Sequence, residues 1–299
     1  MSVGNHCQRN PVTAGPEESI RAAAKRMDSN DVGCVVVIDG HDHPLGVLTD
    51  RDVVILGLGS SRDLDATPVS AVMSRLTAKV REVTPMARAV VRMGSDGVRR
   101  LPVVDHHGRL TGILTWDDAL KVVASNLSLA TEAIEAQFPP HGAEPSDRGK
   151  DTWDLPTARR YRYDPVVAHP TTQVSAIVDE MEEEGVGCVL VVDEKRIPVG
   201  VVTDRDLLRR VVAAGLDPDV EVGKVMSQDV VTVPEDTSIR EMLEQARAHG
   251  IRRVPLVNDV GALAGVVALD DVIAALTTEL EHLRHAVRVE LSGTLRFRD

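Results

Sequence analysis

The residues with the plainest chemical potential are a threonine and an aspartate three positions apart, and they recur. Thr49 and Asp52, Thr115 and Asp118, and Thr203 and Asp206 each close a Gly-apolar-apolar-Thr-x-x-Asp run, and a fourth run reaches Asp271 with Ala268 in the threonine's place. A hydroxyl at a helix start accepts a hydrogen bond from one of the N–H groups that the first turn leaves unpaired. The remaining N–H groups and the positive end of the helix dipole suit a phosphate. An ionised aspartate one turn in can accept from the two hydroxyls of a ribose. Any one such pattern is explained by capping alone. Its return in register moves the reading toward a ligand.

Cationic residues stand near the same motifs. Arg99-Arg100 and Arg252-Arg253 precede apolar strands in the second and fourth runs, where the first and third have Gly33-Cys34 and Gly187-Cys188. Arg100 and Arg253, set among apolar residues, are candidates for phosphate, with surface pairing to a nearby aspartate as the alternative. Arg99 and Arg252 fall on the other face of a regular strand. Arg51 and Arg205, inside the motif, form a second candidate pair. Asp50/Asp52 and Asp204/Asp206 are two apart in a first helical turn, so they point different ways and do not read as an acid–base pair. With no Gly-x-Ser-x-Gly and no phosphate loop of the Gly-x-x-x-x-Gly-Lys type, the chain is not expected to be an enzyme. His41-x-His43, His106-His107 and His282-x-x-His285 have ligand-like spacing but lie in turns or on a charged helix, and no metal site is assigned to them.

The elements that hold these residues repeat. Pro11 to Asp52 aligns without a gap on Pro165 to Asp206, and Gly97-Val98-Arg99-Arg100-Leu101-Pro102 matches Gly250-Ile251-Arg252-Arg253-Val254-Pro255. Within each half, Val32 to Asp52 has the grammar of Val98 to Asp118: an apolar strand ending in Asp39 or Asp105, a polar turn, a strand from a glycine, then the Thr-x-x-Asp helix. An amphipathic helix precedes each strand pair, with Ile20, Ala23, Ala24 and Met27 on one face in the first unit. Pro85 sits near the start of the second such helix. Ser125 to Phe138 reads as helix and Pro139 to Lys150 as a polar breaker. Ala158 to Tyr163 is a small basic stretch on a linker.

Composition sets outer limits. The net charge is −12, which argues against unspecific nucleic-acid or anionic-membrane binding and leaves room for local basic spots. No apolar run approaches the roughly 20 residues of a membrane span, and the polar start has no signal-peptide core, so a cytoplasmic location is expected. Three cysteines without a C-x-x-C pair indicate neither a disulfide framework nor zinc. Cys34 and Cys188 read as small core residues.

Four copies of strand, Asp, turn and Gly-apolar-x-Thr-x-x-Asp resemble tandem cystathionine-β-synthase (CBS) domains. Leu48-Thr49-Asp50-Arg51-Asp52 and Thr203-Asp204-Arg205-Asp206 resemble in particular stand-alone actinobacterial CBS proteins of the hypoxic-response type. The resemblance implies an α/β (α+β) fold of four β-α-β-β-α units in two pseudo-twofold CBS-pair modules, packed as a disk. The boundaries read as a tail 1–9, module one 10–124 (units 10–66 and 67–124), a linker 125–162, module two 163–277 (units 163–218 and 219–277) and a helical tail 278–299. It implies AMP, ADP, ATP or S-adenosylmethionine as a regulatory ligand, with Mg2+ arriving on a triphosphate. Thr49, Asp52, Thr115, Asp118, Thr203 and Asp206 would meet phosphate and ribose, and Asp271 would do so without a hydroxyl beside it. An effector protein and a homodimer or an intramolecular disk would complete the picture. The alternative is a ligand-free interaction scaffold in which the caps are only caps.

Overall fold

The computed structural model describes residues 2–60, 62–76, 78–137 and 162–277, apart from the side chains of 126 and 129–137. The tail from 278, with His282 and His285, lies outside them, as do residues 138–161 with the polar breaker. Four β-α-β-β-α units follow one another. The first has β2 (Thr13–Ala14), α1 (Ile20–Ser29), β3 (Cys34–Ile38), β4 (Pro44–Thr49) and α2 (Asp50–Asp52), which runs on as a π-helix Val53–Gly59. The second has β6 (Val80–Arg81), α3 (Met86–Asp96), β7 (Arg100–Val104), β8 (Leu110–Thr115) and α4 (Trp116–Gln137). The third has β9 (Val167–Ala168), α5 (Val174–Glu183), β10 (Cys188–Val192), β11 (Pro198–Thr203) and α6 (Asp204–Leu207), continued by a π-helix Leu208–Ala213. The fourth has β12 (Val233–Pro234), α7 (Ile239–His249), β13 (Arg253–Val257), β14 (Leu263–Ala268) and helical residues 269–277.

Local chemistry sets the boundaries. Ser19 caps α1 by accepting from Ala22 N–H, and the helix buries the expected face, Ile20, Ala23, Ala24 and Met27. Ser238 and Glu241 form a full capping box on α7, which ends at Gly250 with φ 64°. The aspartate closing each first hairpin strand builds the turn: Asp39 Oδ1 accepts from His41 N–H at 2.8 Å and His43 N–H at 2.9 Å. Asp105 and Asp193 do the same, and Asn258 takes that role in the fourth unit.

The first two units exchange edge strands. The sheet of the first is ordered β2-β3-β4-β5, where β5 (Ser74–Arg75) leads into the second unit. The sheet of the second is ordered β1-β8-β7-β6, where β1 (Gln8–Arg9) precedes the first. This exchange accounts for the motif glycine. A Cβ on Gly46 would lie 2.6 Å from Ser74 O, and one on Gly112 2.8 Å from Gln8 O. At the equivalent glycines of the third and fourth repeats the space is taken by side chains, Met226 over Gly200 and Arg162 over Gly265.

The chain divides into two compact units. One holds the residues through α4 together with Thr171–Cys188 and Val202–Val225. In it α1 packs on Leu208–Ala213 and α5 on Val53–Gly59, so helices of the first and third repeats share a core. A second core there joins Leu101, Val103 and Leu114 to Met86, Ala89 and Met93. The other unit holds residues 162–170, Val189–Val201 and 226–277. It contains the sheet β12-β13-β14 and most of the sheet β9-β10-β11, with Val254, Leu256 and Val267 packed on Ile239, Met242 and Ala246. Among the described residues no helix is long and apolar enough to cross a membrane.

Candidate functional site

Three of the four motifs form the same cap. Thr49 Oγ1 donates to Asp52 Oδ2 at 2.8 Å and accepts from Asp52 N–H at 3.2 Å, while Thr49 N–H donates to Asp52 Oδ2 at 2.9 Å. Thr115 with Asp118, and Thr203 with Asp206, repeat this geometry, the hydroxyl donating at 2.7 Å in each. One carboxylate oxygen of each aspartate is thus committed to the motif, and Oδ1 remains for another donor. The first helical N–H is fixed from outside the motif: Asp50 N–H donates to Gly33 O, Trp116 N–H to Arg99 O, Asp204 N–H to Gly187 O and Leu269 N–H to Arg252 O. Every repeat therefore ties its helix start to the residue before its first hairpin strand.

Thr49 and Asp52 open onto a cavity of about 240 Å3, just below the ~300–1,000 Å3 typical of small-molecule sites. Its other wall comes from the second unit: Leu76 and Ala78, and the segment Gly97, Val98, Arg99 and Arg100. Arg100 pairs with Thr115 across its own hairpin, yet its side chain lines the cavity of the Thr49 cap. Arg99 lines it too, although strand alternation assigns it to the opposite face; it lies just before β7 begins, where alternation does not hold. Arg100 also acts on Cys34. Burial raises the Cys34 thiol pKa above its ordinary value, and the Arg100 charge opposes that rise. Burial likewise raises Cys7.

Thr203 and Asp206 line a second cavity, of about 520 Å3, with Arg205, Arg209, Arg210 and Asp28. Arg210 Nη2 sits 2.9 Å from Asp206 Oδ1, the oxygen that the cap leaves. The reading of the sequence passed over Arg209 and Arg210. The signal was present, since Asp206 and Arg210 are four apart on one helix and so share a face.

Arg51 does not line the cavity of its own motif. Its guanidinium reaches Asp204 Oδ2 at 3.8 Å, and Arg205 Nε reaches Asp50 Oδ2 at 3.6 Å, so the first and third motifs grip one another reciprocally. Arg51 also donates to Met181 O at 3.4 Å. Arg205 lies over Gly33, where a Cβ would strike its guanidinium, and Asp204 lies over Gly187. Thus Gly33 stands where another repeat carries Arg99 because the partner motif's Arg205 occupies that space, and Gly187 where another carries Arg252 because Asp204 of its own motif does, with Arg51 of the partner motif beside it. Arg209 extends the contact to Asp28 at 2.7 Å and Asp31 at 3.1 Å.

Asp118 is the most enclosed of the motif acids, 9% exposed. Arg253 and Asp271 are both exposed, and with Ala268 in place of threonine no hydroxyl caps the helix from residue 269. Arg252 pairs with Asp270 at 3.0 Å. Arg162 pairs with Glu235, and Tyr163 bridges Val266. Among the described residues no three His, Cys, Asp or Glu side chains are grouped to hold a metal.

The architecture defines a class: β-α-β-β-α repeats in tandem, three of them with a Thr–Asp cap at the last helix start, the first of which opens onto its neighbouring repeat. The family model for the CBS domain matches residues 3–58, 69–125, 158–213 and 222–278, and the chain belongs to the CBS-domain family. It is 28% identical over 302 residues to the CBS domain-containing protein CBSCBSPB1 of Arabidopsis thaliana, a match that covers 95% of this chain and 53% of that one. Protein MJ1225 of Methanocaldococcus jannaschii, a solved structure, shares the fold with a TM-score of 0.65 at 19% identity, over 92% of this chain and all of that one. Hypoxic Response Protein I is similar over 40% of this chain and 98% of its own, at 28% identity and a TM-score of 0.38. The chain spans between about half and two-thirds of the length of such curated relatives.

Proposed function

We propose that this chain is a non-catalytic regulatory sensor. It binds adenosine nucleotides in the clefts of its CBS pairs and signals by a change in how its repeats pack. One observation carries the reading: the Thr49–Asp52 cap and Arg100 come from opposite repeats and line one open cavity. Asp52 Oδ1 would take the ribose hydroxyls, and the helix start with Arg100 would take phosphate. Three arginines in the wall, Arg75, Arg99 and Arg100, favour AMP, ADP or ATP over S-adenosylmethionine, whose sulfonium they would repel. Mg2+ would enter only on a triphosphate. Thr203 and Asp206, with Arg209 and Arg210, would form a second site, and Thr115 with Asp118 a third. Asp271, without a hydroxyl beside it, and the exposed Arg253 would make the weakest. Ligand can shift the packing only if it prefers one arrangement. The Arg51–Asp204 and Arg205–Asp50 pairs, one or two residues from the caps, are where that preference would act.

A second reading, a ligand-free scaffold, is favoured by the cap itself, because threonine and aspartate already satisfy one another in three repeats. Thermal shift with AMP, ADP, ATP and S-adenosylmethionine separates the two. A ligand at 100 times its dissociation constant stabilises by about 2.7 kcal/mol. The sensor requires a shift that Asp52→Ala or Arg100→Ala reduces and Asp271→Ala leaves in place. Indifference to every adenosyl compound selects the scaffold.

A further inference from the structure

Beyond the cleft, the second repeat carries a groove of about 750 Å3 between the edge strand β6 and α3. Four cations line it, Lys79, Arg81, Arg88 and Arg92, and no acidic residue does. In a chain of net charge −12 several arginines elsewhere are held by carboxylates, Arg21 with Asp65, Arg26 with Glu18, Arg209 with Asp28. In the groove only Arg92 has such a neighbour, Asp96 at 2.7 Å. Lys79, Arg81 and Arg88 are exposed and form no ion pair among the described residues. Between the cations stands Val91, 70% exposed, and Val83 is 79% exposed beside Thr84 of the groove wall. Both are exposed apolar side chains that the fold does not use.

We propose that this groove is a docking surface for an acidic peptide segment of a partner protein, one that carries apolar side chains between its carboxylates. Charge complementarity gives the sign, since three of the groove's four cations have no ion-pair partner among the described residues and would steer and orient an acidic segment. The valines choose the class. A single-stranded nucleic acid would need flat rings to stack on, and the groove has no aromatic residue; a polyphosphate has nothing to place against Val91. An open groove along a helix fits an extended or helical segment rather than a compact metabolite. The location suits a readout, because Ala78 lines both this groove and the Thr49–Asp52 cavity. The docking deepens the sensor reading by giving it a partner surface, but it does not require nucleotide.

The test is fluorescence anisotropy on the full chain without nucleotide, with a fluorescein-labelled peptide alternating glutamate and leucine. Saturable binding that weakens with salt is expected. Arg81→Ser with Arg88→Ser should weaken it about tenfold, and Val91→Ser several-fold, while Lys25→Ser, an exposed cation on α1 of the first repeat, should not change it. Circular dichroism establishes that the variants fold. Binding that ignores the arginine pair overturns the proposal. So does inorganic tripolyphosphate or single-stranded RNA that competes equally and is insensitive to Val91→Ser, which makes the groove a general polyanion site. Self-association abolished by the arginine pair, with no peptide bound, also overturns it, since the occupant is then a second copy. A nucleotide thermal shift on the same samples is scored separately, so failure of the sensor reading and failure of the groove are told apart.

Discussion

At Gly46 a single hydrogen atom decides whether two repeats can share a sheet. A methyl group there would lie 2.6 Å from Ser74 O and 2.8 Å from Met73 Sδ, and the backbone oxygen cannot swing away as a flexible side chain would. Gly46→Ala should cost about 1–3 kcal/mol, as overpacking does. Gly40→Ala, with nothing within 4 Å, should change little. Urea midpoints with an unchanged slope would show it. A second residue-scale prediction concerns the turn aspartates. Bonds from His43 and His41 N–H lower the Asp39 pKa, and the bond from Arg109 N–H lowers Asp105. A carboxyl with a depressed folded pKa contributes stability that is complete above its unfolded value, about 3.9, and is lost as pH falls through the folded value. Asn258 makes the same bonds without titrating. Asp39→Asn with Asp105→Asn should therefore keep the turns at pH 7 and make stability less steep below about pH 4. An unaltered acid limb in urea titrations would refute the assignment.

At the scale of elements, the helix starting at Asp50 and the helix starting at Asp204 meet through exchanged Arg–Asp pairs. The carboxylates are only 15% and 19% exposed, while the arginines keep about two-fifths of their surface in water. A double-mutant cycle on Arg51→Ala and Asp204→Ala should give a coupling energy of about 0.5–1 kcal/mol that shrinks as salt is added. Coupling indistinguishable from zero at low salt would mean that the two helices touch without communicating. The four β-α-β-β-α units, the caps and the amphipathic helices were legible in the sequence because each is written within about 50 residues in local periodicity and capping. The Arg51–Asp204 pair was not. A guanidinium one residue from an aspartate has the same local context whether it will meet phosphate or a carboxylate from 153 positions away. The same holds for Gly33 and Gly187, whose smallness could be read but not the side chain that fills the space.

For the whole molecule, repeat order along the chain and packing order differ. The compact unit that contains α1 to α4 also takes in Thr171–Cys188 and Val202–Val225, from the third repeat and the start of the fourth. Sequence alignment placed a module boundary between these stretches because duplication is a property of the chain, whereas compactness follows buried surface. Ile177, Val178 and Met181 on α5, and Val211 and Val212 after α6, are buried, alongside Val53 and Val54 from the first repeat. Each fully buried side chain of this kind is worth roughly 1.5–3 kcal/mol, so this shared core outweighs what one covalent connection adds by holding its ends together. A protease site inserted between residues 139 and 150, once cut, should therefore leave both fragments eluting together on gel filtration at micromolar concentration. Replacing buried Val178 and Val212 by aspartate should make the cut chain separate, since unpaired charges cannot stay in that core. If the unmodified fragments part on cutting, the connection and not the core joins the first and third repeats, and nucleotide bound at the first could not be felt at the third through the Arg51–Asp204 contact.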